Sequence, residues 1–88
     1  QIYLIEDKGS GFTKVGFTSC GVKTRKKQLQ TSNPNKLKIL KFYNGKLEDE
    51  STLHFELKNN LNIENRGEWF KTSNELLSYI NDYFKGEK

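Results

Sequence analysis

Apolar and polar residues alternate along this chain in two different periods, and each change of period marks an element. Residues 1–6 are rich in Ile, Tyr and Leu and alternate loosely, with Tyr3 and Ile5 on one face, which predicts a strand. Glycines at 9 and 11 predict a turn over residues 7–11, and residues 12–18 return as the second strand of a hairpin. Phe12, Lys14 and Gly16 share one face of that strand, opposite Val15 and Phe17. A glycine inside a strand weakens it, and close approach by another backbone or a ligand is one reason to keep it there. The period then becomes helical over residues 21–32, where Val22 and Leu29 mark the apolar face and Arg25 lies between them. Asn33-Pro34-Asn35 ends the helix, because proline disfavours helical geometry at the residue before it. Residues 36–43 predict a third strand, with Leu37 and Ile39 on one face and Leu40 and Phe42 on the other.

After the turn at Asn44-Gly45, residues 46–61 predict a helix of unusual composition. At about 100° per residue, Leu47, Glu50, Leu53, His54, Leu57 and Leu61 fall on one face, while Glu48, Asp49, Thr52 and Glu56 take the other. Glu50 and His54 stand one turn apart and can share a proton, a water or a metal. A carboxylate in an apolar stripe is costly to bury unless something charged meets it. Residues 59–66 have no period and read as a loop, and residues 68–71 as a short extended piece whose Trp69 and Phe70 plug the core. Thr72 and Ser73 are candidate caps of a last helix, running to about residue 84 with Leu76, Leu77, Ile80, Tyr83 and Phe84 on its inner face.

These elements make an α+β protein, and 88 residues are enough for one domain with one core. Only 33% of residues are hydrophobic and mean hydropathy is −0.85, so aromatic rings must fill much of that core. The single cysteine, Cys20, cannot form an internal disulfide, and there is no apolar run of membrane-spanning length and no signal-peptide pattern. The expectation is a soluble protein of the cytoplasm or another intracellular space, with no membrane partner. The chain starts inside a strand without a methionine, which suggests a domain trimmed from a longer chain whose remainder could carry a targeting module. Charge is divided. Residues 1–45 hold nine Lys/Arg against two Asp/Glu, and residues 46–88 hold six against nine. A basic half suits a polyanion such as nucleic acid, although lysine-rich surfaces also serve solubility alone.

Several chemistries are excluded by composition. One His and one Cys cannot supply the usual ligands of zinc, and neither a glycine-rich phosphate loop nor a serine elbow is present. A Cys20–His54 nucleophilic pair is weaker than the bland reading of a loop cysteine. What is left is a set of inward-facing groups: Tyr3, Lys14, Arg25, Glu50 and His54. A hard cation such as magnesium needs only one or two carboxylates, which Glu50 could supply, while Arg25 could neutralise a phosphate and Tyr3 or Lys14 could handle a water. These are the parts of metal-assisted phosphodiester cleavage. The structural alternatives are an Arg25 that only snorkels to water and a buried Glu50–Arg25 ion pair.

The motifs break this tie by resemblance. Ile2-Tyr3, then Lys14-Val15-Gly16, then the run from Arg25 through Leu29-Gln30-Thr31-Ser32-Asn33 to Pro34, then Glu50 and His54, and finally Gly67-Glu68-Trp69-Phe70 occur in this order over roughly residues 1–72. The chain thereby resembles the GIY-YIG endonuclease superfamily, in the branch whose second motif reads lysine-hydrophobic-glycine. The resemblance implies a small three-stranded antiparallel sheet flanked by helices and a single Mg²⁺ or Mn²⁺ held by Glu50. It further implies Arg25 as phosphate contact, Tyr3 as base or positioner of the attacking water, and His54 in or beside the site. Lys14 stands where the superfamily has its second tyrosine, Gln1 stands in place of glycine, and Asn65 is the candidate for the late asparagine. Glu68 is read as structural, holding a backbone group or Arg66. Lys23, Lys26 and Lys27 are assigned to nucleic-acid binding through sequence-blind electrostatics. The reading is a divalent-metal-dependent endonuclease acting on DNA, with RNA left open. Its rival is a non-catalytic module of the same fold that binds nucleic acid or protein.

Overall fold

The computed structural model describes residues 1–85. Strands β1 (Ile2–Asp7) and β2 (Phe12–Phe17) form the expected hairpin, followed by helix α1 (Val22–Thr31) and strand β3 (Leu37–Tyr43). Helix α2 (Leu47–Phe55) continues into one π-helical turn (Glu56–Asn60), and the short strands β4 (Asn65–Arg66) and β5 (Trp69–Lys71) precede helix α3 (Asn74–Lys85). The sheet is antiparallel, with order β3-β1-β2-β5-β4.

Five strands replace the three expected, and the reason lies in the segment read as loop and plug. Residues this short carry no readable period, yet β5 pairs with Phe12, Thr13 and Lys14 of β2 and folds back on β4 through a turn at Gly67, whose φ is 61°. An unpaired β2 edge would otherwise leave backbone groups to seek other partners.

Alternation sorts the side chains onto two faces. Tyr3, Ile5 and Leu37 pack with Val22 of α1, with Leu29, Ile39 and Trp69 around them. On the opposite face Ile2, Leu4, Val15 and Phe70 pack with Leu53 and Leu57 from the α2 segment, Ile63, and Leu76 and Ile80 of α3. Trp69 and Phe70 thus serve different faces, as neighbours on a strand must. The helical stripe of α2 is narrower than its pattern predicted: Leu53 and Leu57 are fully buried, but Leu47 in the first turn is 57% exposed.

Two polar devices lock the ends of these elements. The Asp7 carboxylate accepts the N–H groups of Gly9 and Ser10 in its own turn and the side-chain amides of Asn33 and Asn35 beyond α1. Ser73 caps α3 by accepting the Leu76 N–H at 3.1 Å, while the Thr72 hydroxyl lies 2.6 Å from that of Thr13 on β2.

In β3 the expected facing of the side chains is broken by a bulge. Ile5 of β1 lies opposite Ile39 but Leu4 opposite Lys41, so Leu40 is the extra residue. Leu40 goes to the face of Ile2 and Leu4, and Phe42, opposite Tyr3, goes to the other. The sequence pattern had put Leu40 and Phe42 together.

Candidate active site

The site is built on the last three residues of β2, where its outer edge outruns its neighbour. Thr18 N–H bonds the Gln1 carbonyl at 2.9 Å on the β1 side, so by alternation the Phe17 N–H points to the other edge, toward β5. Val15 N–H on that edge reaches the Glu68 carbonyl at 3.1 Å, and there β5 has run out. Helix α2 satisfies what β5 does not. Glu50 Oε2 accepts the Phe17 N–H at 3.0 Å, and His54 Nε2 lies 2.6 Å from the Val15 carbonyl oxygen. The one-turn spacing of Glu50 and His54 matches the spacing of these two backbone groups along the strand.

Each bond decides what the side chain has left to offer. A carbonyl only accepts, so His54 donates from Nε2 and, when neutral, carries Nδ1 as a bare acceptor. Glu50 uses one carboxylate oxygen on Phe17, and among the described residues its second oxygen has no hydrogen-bond partner.

Tyr3 and Arg25 reach the same strand from the α1 face. Tyr3 lies opposite Gly16 in the β1–β2 register, and its ring crosses directly over that glycine. A Cβ at position 16 would fall 2.5 Å from Tyr3 Cζ and nearer still to the phenol oxygen. Gly16 is therefore needed for the passage of Tyr3, which is the close approach its place in a strand suggested. Arg25 Nε donates to the Tyr3 oxygen at 3.3 Å and Nη1 to Gln28 at 3.1 Å. The bond to Tyr3, foremost, holds the guanidinium above its ordinary pKa against the opposing effect of burial. Arg25 thus stays charged, with its remaining terminal nitrogen available to an anion.

Lys14 sits two residues up β2 on the same face and is tied to Glu68, its Nζ 2.7 Å from Oε1 and 5.7 Å from the Trp69 ring centre. This corrects the expectation that Glu68 holds a backbone group or Arg66 with its side chain; Arg66 lies instead over the Phe12 ring at 4.7 Å. The Lys14 bond lowers the Glu68 carboxyl below its ordinary value despite partial burial, with Lys14, His54 and Arg25 charges adding to the effect. One carboxylate thus feels three basic side chains from three elements.

A model of the T5orf172 domain matches residues 1–84. The chain belongs to the T5orf172 domain family. That family is associated with nuclease-like, DNA-binding function. No curated protein and no solved structure matches the chain.

In this T5orf172 domain Tyr3, Arg25, Glu50 and His54 converge on Val15, Gly16 and Phe17, while other sequence candidates fall elsewhere. Asn65 is on β4, its amide donating to the Gly67 carbonyl at 3.0 Å within a local turn. Lys23, Lys26 and Lys27 line a shallow groove of about 450 Å³ between α1 and β3, with Thr24 and Ile39. Cys20 is exposed, its sulfur 3.3 Å from the Thr18 hydroxyl rather than bonded to His54. The Glu50–Arg25 ion pair is absent among the described residues, where the salt bridge found is Lys14–Glu68. What sequence reasoning missed is the pairing of Glu68 with Lys14. Its signal was a buried-face lysine in need of a carboxylate, but the strand register that joins them is invisible in the pattern. No helix of the described residues is long and apolar enough to cross a membrane.

Proposed function

We propose that this T5orf172 domain is a divalent-metal-dependent endonuclease of GIY-YIG type that hydrolyses DNA phosphodiester bonds. The observation that carries the reading is the meeting, on three consecutive residues of β2, of an Arg25–Tyr3 pair and a Glu50 carboxylate with one oxygen unengaged. A structural ion pair would have joined Arg25 to Glu50; here each is held by a different group, and both retain capacity for a ligand.

The donor set fits a hard, hydrated cation. Among the described residues there is no group of three His, Cys, Asp or Glu side chains able to enclose an ion. Mg²⁺ or Mn²⁺ needs no such cage, because it keeps most of its waters and takes one or two carboxylate oxygens. Bound at Glu50, the ion would supply stabilisation of the charge that develops on the leaving oxygen. Arg25 holds the scissile phosphate through its open guanidinium edge. Tyr3, whose oxygen accepts from Arg25, orients the attacking water through its own O–H, or takes the water's proton after first losing its own as a phenolate. His54 keeps the β2 edge and α2 in fixed relation, and Lys23, Lys26 and Lys27 draw the polyanion along α1.

The second reading, a non-catalytic binding module, is favoured by Lys14, which replaces a tyrosine and is occupied by Glu68. A plasmid-nicking assay separates the two. Wild-type protein is expected to nick in Mg²⁺ and not in EDTA. Glu50→Gln, which keeps an acceptor for the Phe17 N–H, is expected to lose about 10²-fold or more in rate while binding DNA at low salt as before. Nicking by the pure variant at the wild-type rate would remove Glu50 from the mechanism, and no metal-dependent nicking by wild type would leave the binding module.

A further inference from the structure

The bulge in β3 turns an aromatic ring outward beside the site, and nothing in the fold uses it. Were β3 to alternate strictly, with no bulge at Leu40, Phe42 would share the face of Leu40, toward α3 and the main core. The register shift between Leu4 and Ile5 sends it to the face of Tyr3 instead, where it is 52% exposed. The domain thereby forgoes the burial of a phenylalanine. Bulges that re-aim one side chain are common next to functional sites.

Three further features define what would cover this ring. Phe42 is the direct cross-strand neighbour of Tyr3 on the side away from Gly16, so it shares a face with the Arg25–Tyr3 bond and stands about two strand spacings, roughly 10 Å, from it. Ile39, on the same face of β3, floors the groove walled by Lys23, Lys26 and Lys27 of α1. Lys38 and Lys41 of β3, opposite Glu6 and Leu4, stand exposed on the other face of this free edge of the sheet. Such a row of like charges opposes pairing of this edge with a second copy of itself. On the face of Phe42 it is the wall of Lys23, Lys26 and Lys27 that attracts a phosphate backbone.

We infer that Phe42 is a stacking platform for an unpaired base a nucleotide or two from the scissile phosphate, and that the substrate is nucleic acid with unpaired nucleotides near the cut rather than continuous duplex. This rests on the reading of the Arg25–Tyr3 pair as the phosphate site. A ring offers its face to a base only when that base is free of its partner in the duplex, whereas lysines grip either form. Base–aromatic stacking is strong enough that loss of one ring should weaken binding roughly tenfold.

The test is binding without cleavage, so that its failure is distinct from failure of the nuclease reading. Affinities for a single-stranded oligonucleotide containing 2-aminopurine and for its duplex are measured in EDTA at fixed low salt, with wild type, Phe42→Ala and Phe42→Trp. The expected result is about tenfold weaker single-strand binding by Phe42→Ala, near wild-type binding by Phe42→Trp, and less than about twofold change on duplex. The 2-aminopurine emission is expected to be quenched by wild type and by Phe42→Trp and not by Phe42→Ala. Phe42→Ala that binds single strands as wild type does, or that loses single-strand and duplex binding equally, overturns the inference. So does a Phe42→Ala variant whose only change, by sedimentation, is the loss of a dimer.

Discussion

Replacing Gly16 with alanine isolates the contact on which the site's geometry depends. The backbone at 16 is ordinary strand, the positive-φ glycines being Gly11, Gly21 and Gly67, so alanine meets no conformational strain there and should even favour the strand. All the harm must come from one collision. The new Cβ would lie 2.5 Å from Tyr3 Cζ, and carbon atoms rest at about 3.5–4.0 Å, so the ring must move by about 1 Å. Tyr3 is only 1% exposed among Ile5, Val22 and Leu37 and has little room to yield. Overpacking of this kind costs about 1–3 kcal/mol, which in a domain of this size lowers Tm by roughly 4 °C or more. The same displacement stretches the 3.3 Å bond to Arg25, and a misplacement of about 1 Å in a catalytic group reduces rate by about 10²-fold. Denaturant titration and metal-dependent nicking measure the two effects. A cycle with Tyr3→Leu assigns them: once the ring is gone, Gly16→Ala should be nearly neutral in stability. Unaltered stability and rate in the single variant, or equal damage in the Tyr3→Leu background, would refute the collision as the cause.

Two further outcomes follow from the bonds that hold the site and its supporting turn. His54→Ala leaves the Val15 carbonyl without its partner and should cost about 1–3 kcal/mol in urea titration; His54→Gln, whose amide can donate, should recover part of it, and equal loss in both would assign the effect to packing against Phe70. At Asp7 burial works to raise the carboxyl pKa, but the hydrogen bonds from Asn35, Ser10, Asn33 and Gly9 outweigh it and hold the folded value below the ordinary one near 3.8. A depressed acid stabilises the fold above its unfolded pKa and loses that contribution as pH falls through the folded value. Asp7→Asn should therefore be less stable than wild type near neutrality and converge with it in acid, and a constant gap across that range would show that Asp7 is not titrating as described.

Period and punctuation along the chain were enough to place the hairpin, the third strand and the helices within a residue or two, because i+2 and i+3/i+4 neighbours are local. The same arithmetic turned Tyr3, Arg25, Glu50 and His54 inward, since each lies on an apolar face of its own element. It failed where the relevant neighbour was distant. The number of strands depended on β5 finding β2 some 54 residues away, as Lys14 and Glu68 do, and strands of two and three residues have no period to read. Phe42 was assigned to the wrong side because a bulge is a property of the pairing between β1 and β3, not of β3.

Local amphipathicity thus says which way a residue faces on its own helix or strand, and nothing about what waits there. That Glu50 would meet a backbone N–H rather than the Arg25 guanidinium was decided when β5 stopped at Val15 and left the end of the β2 edge to α2. Backbone groups on a strand edge must be satisfied by whatever reaches them, and which element arrives is settled only by the packing of the whole chain.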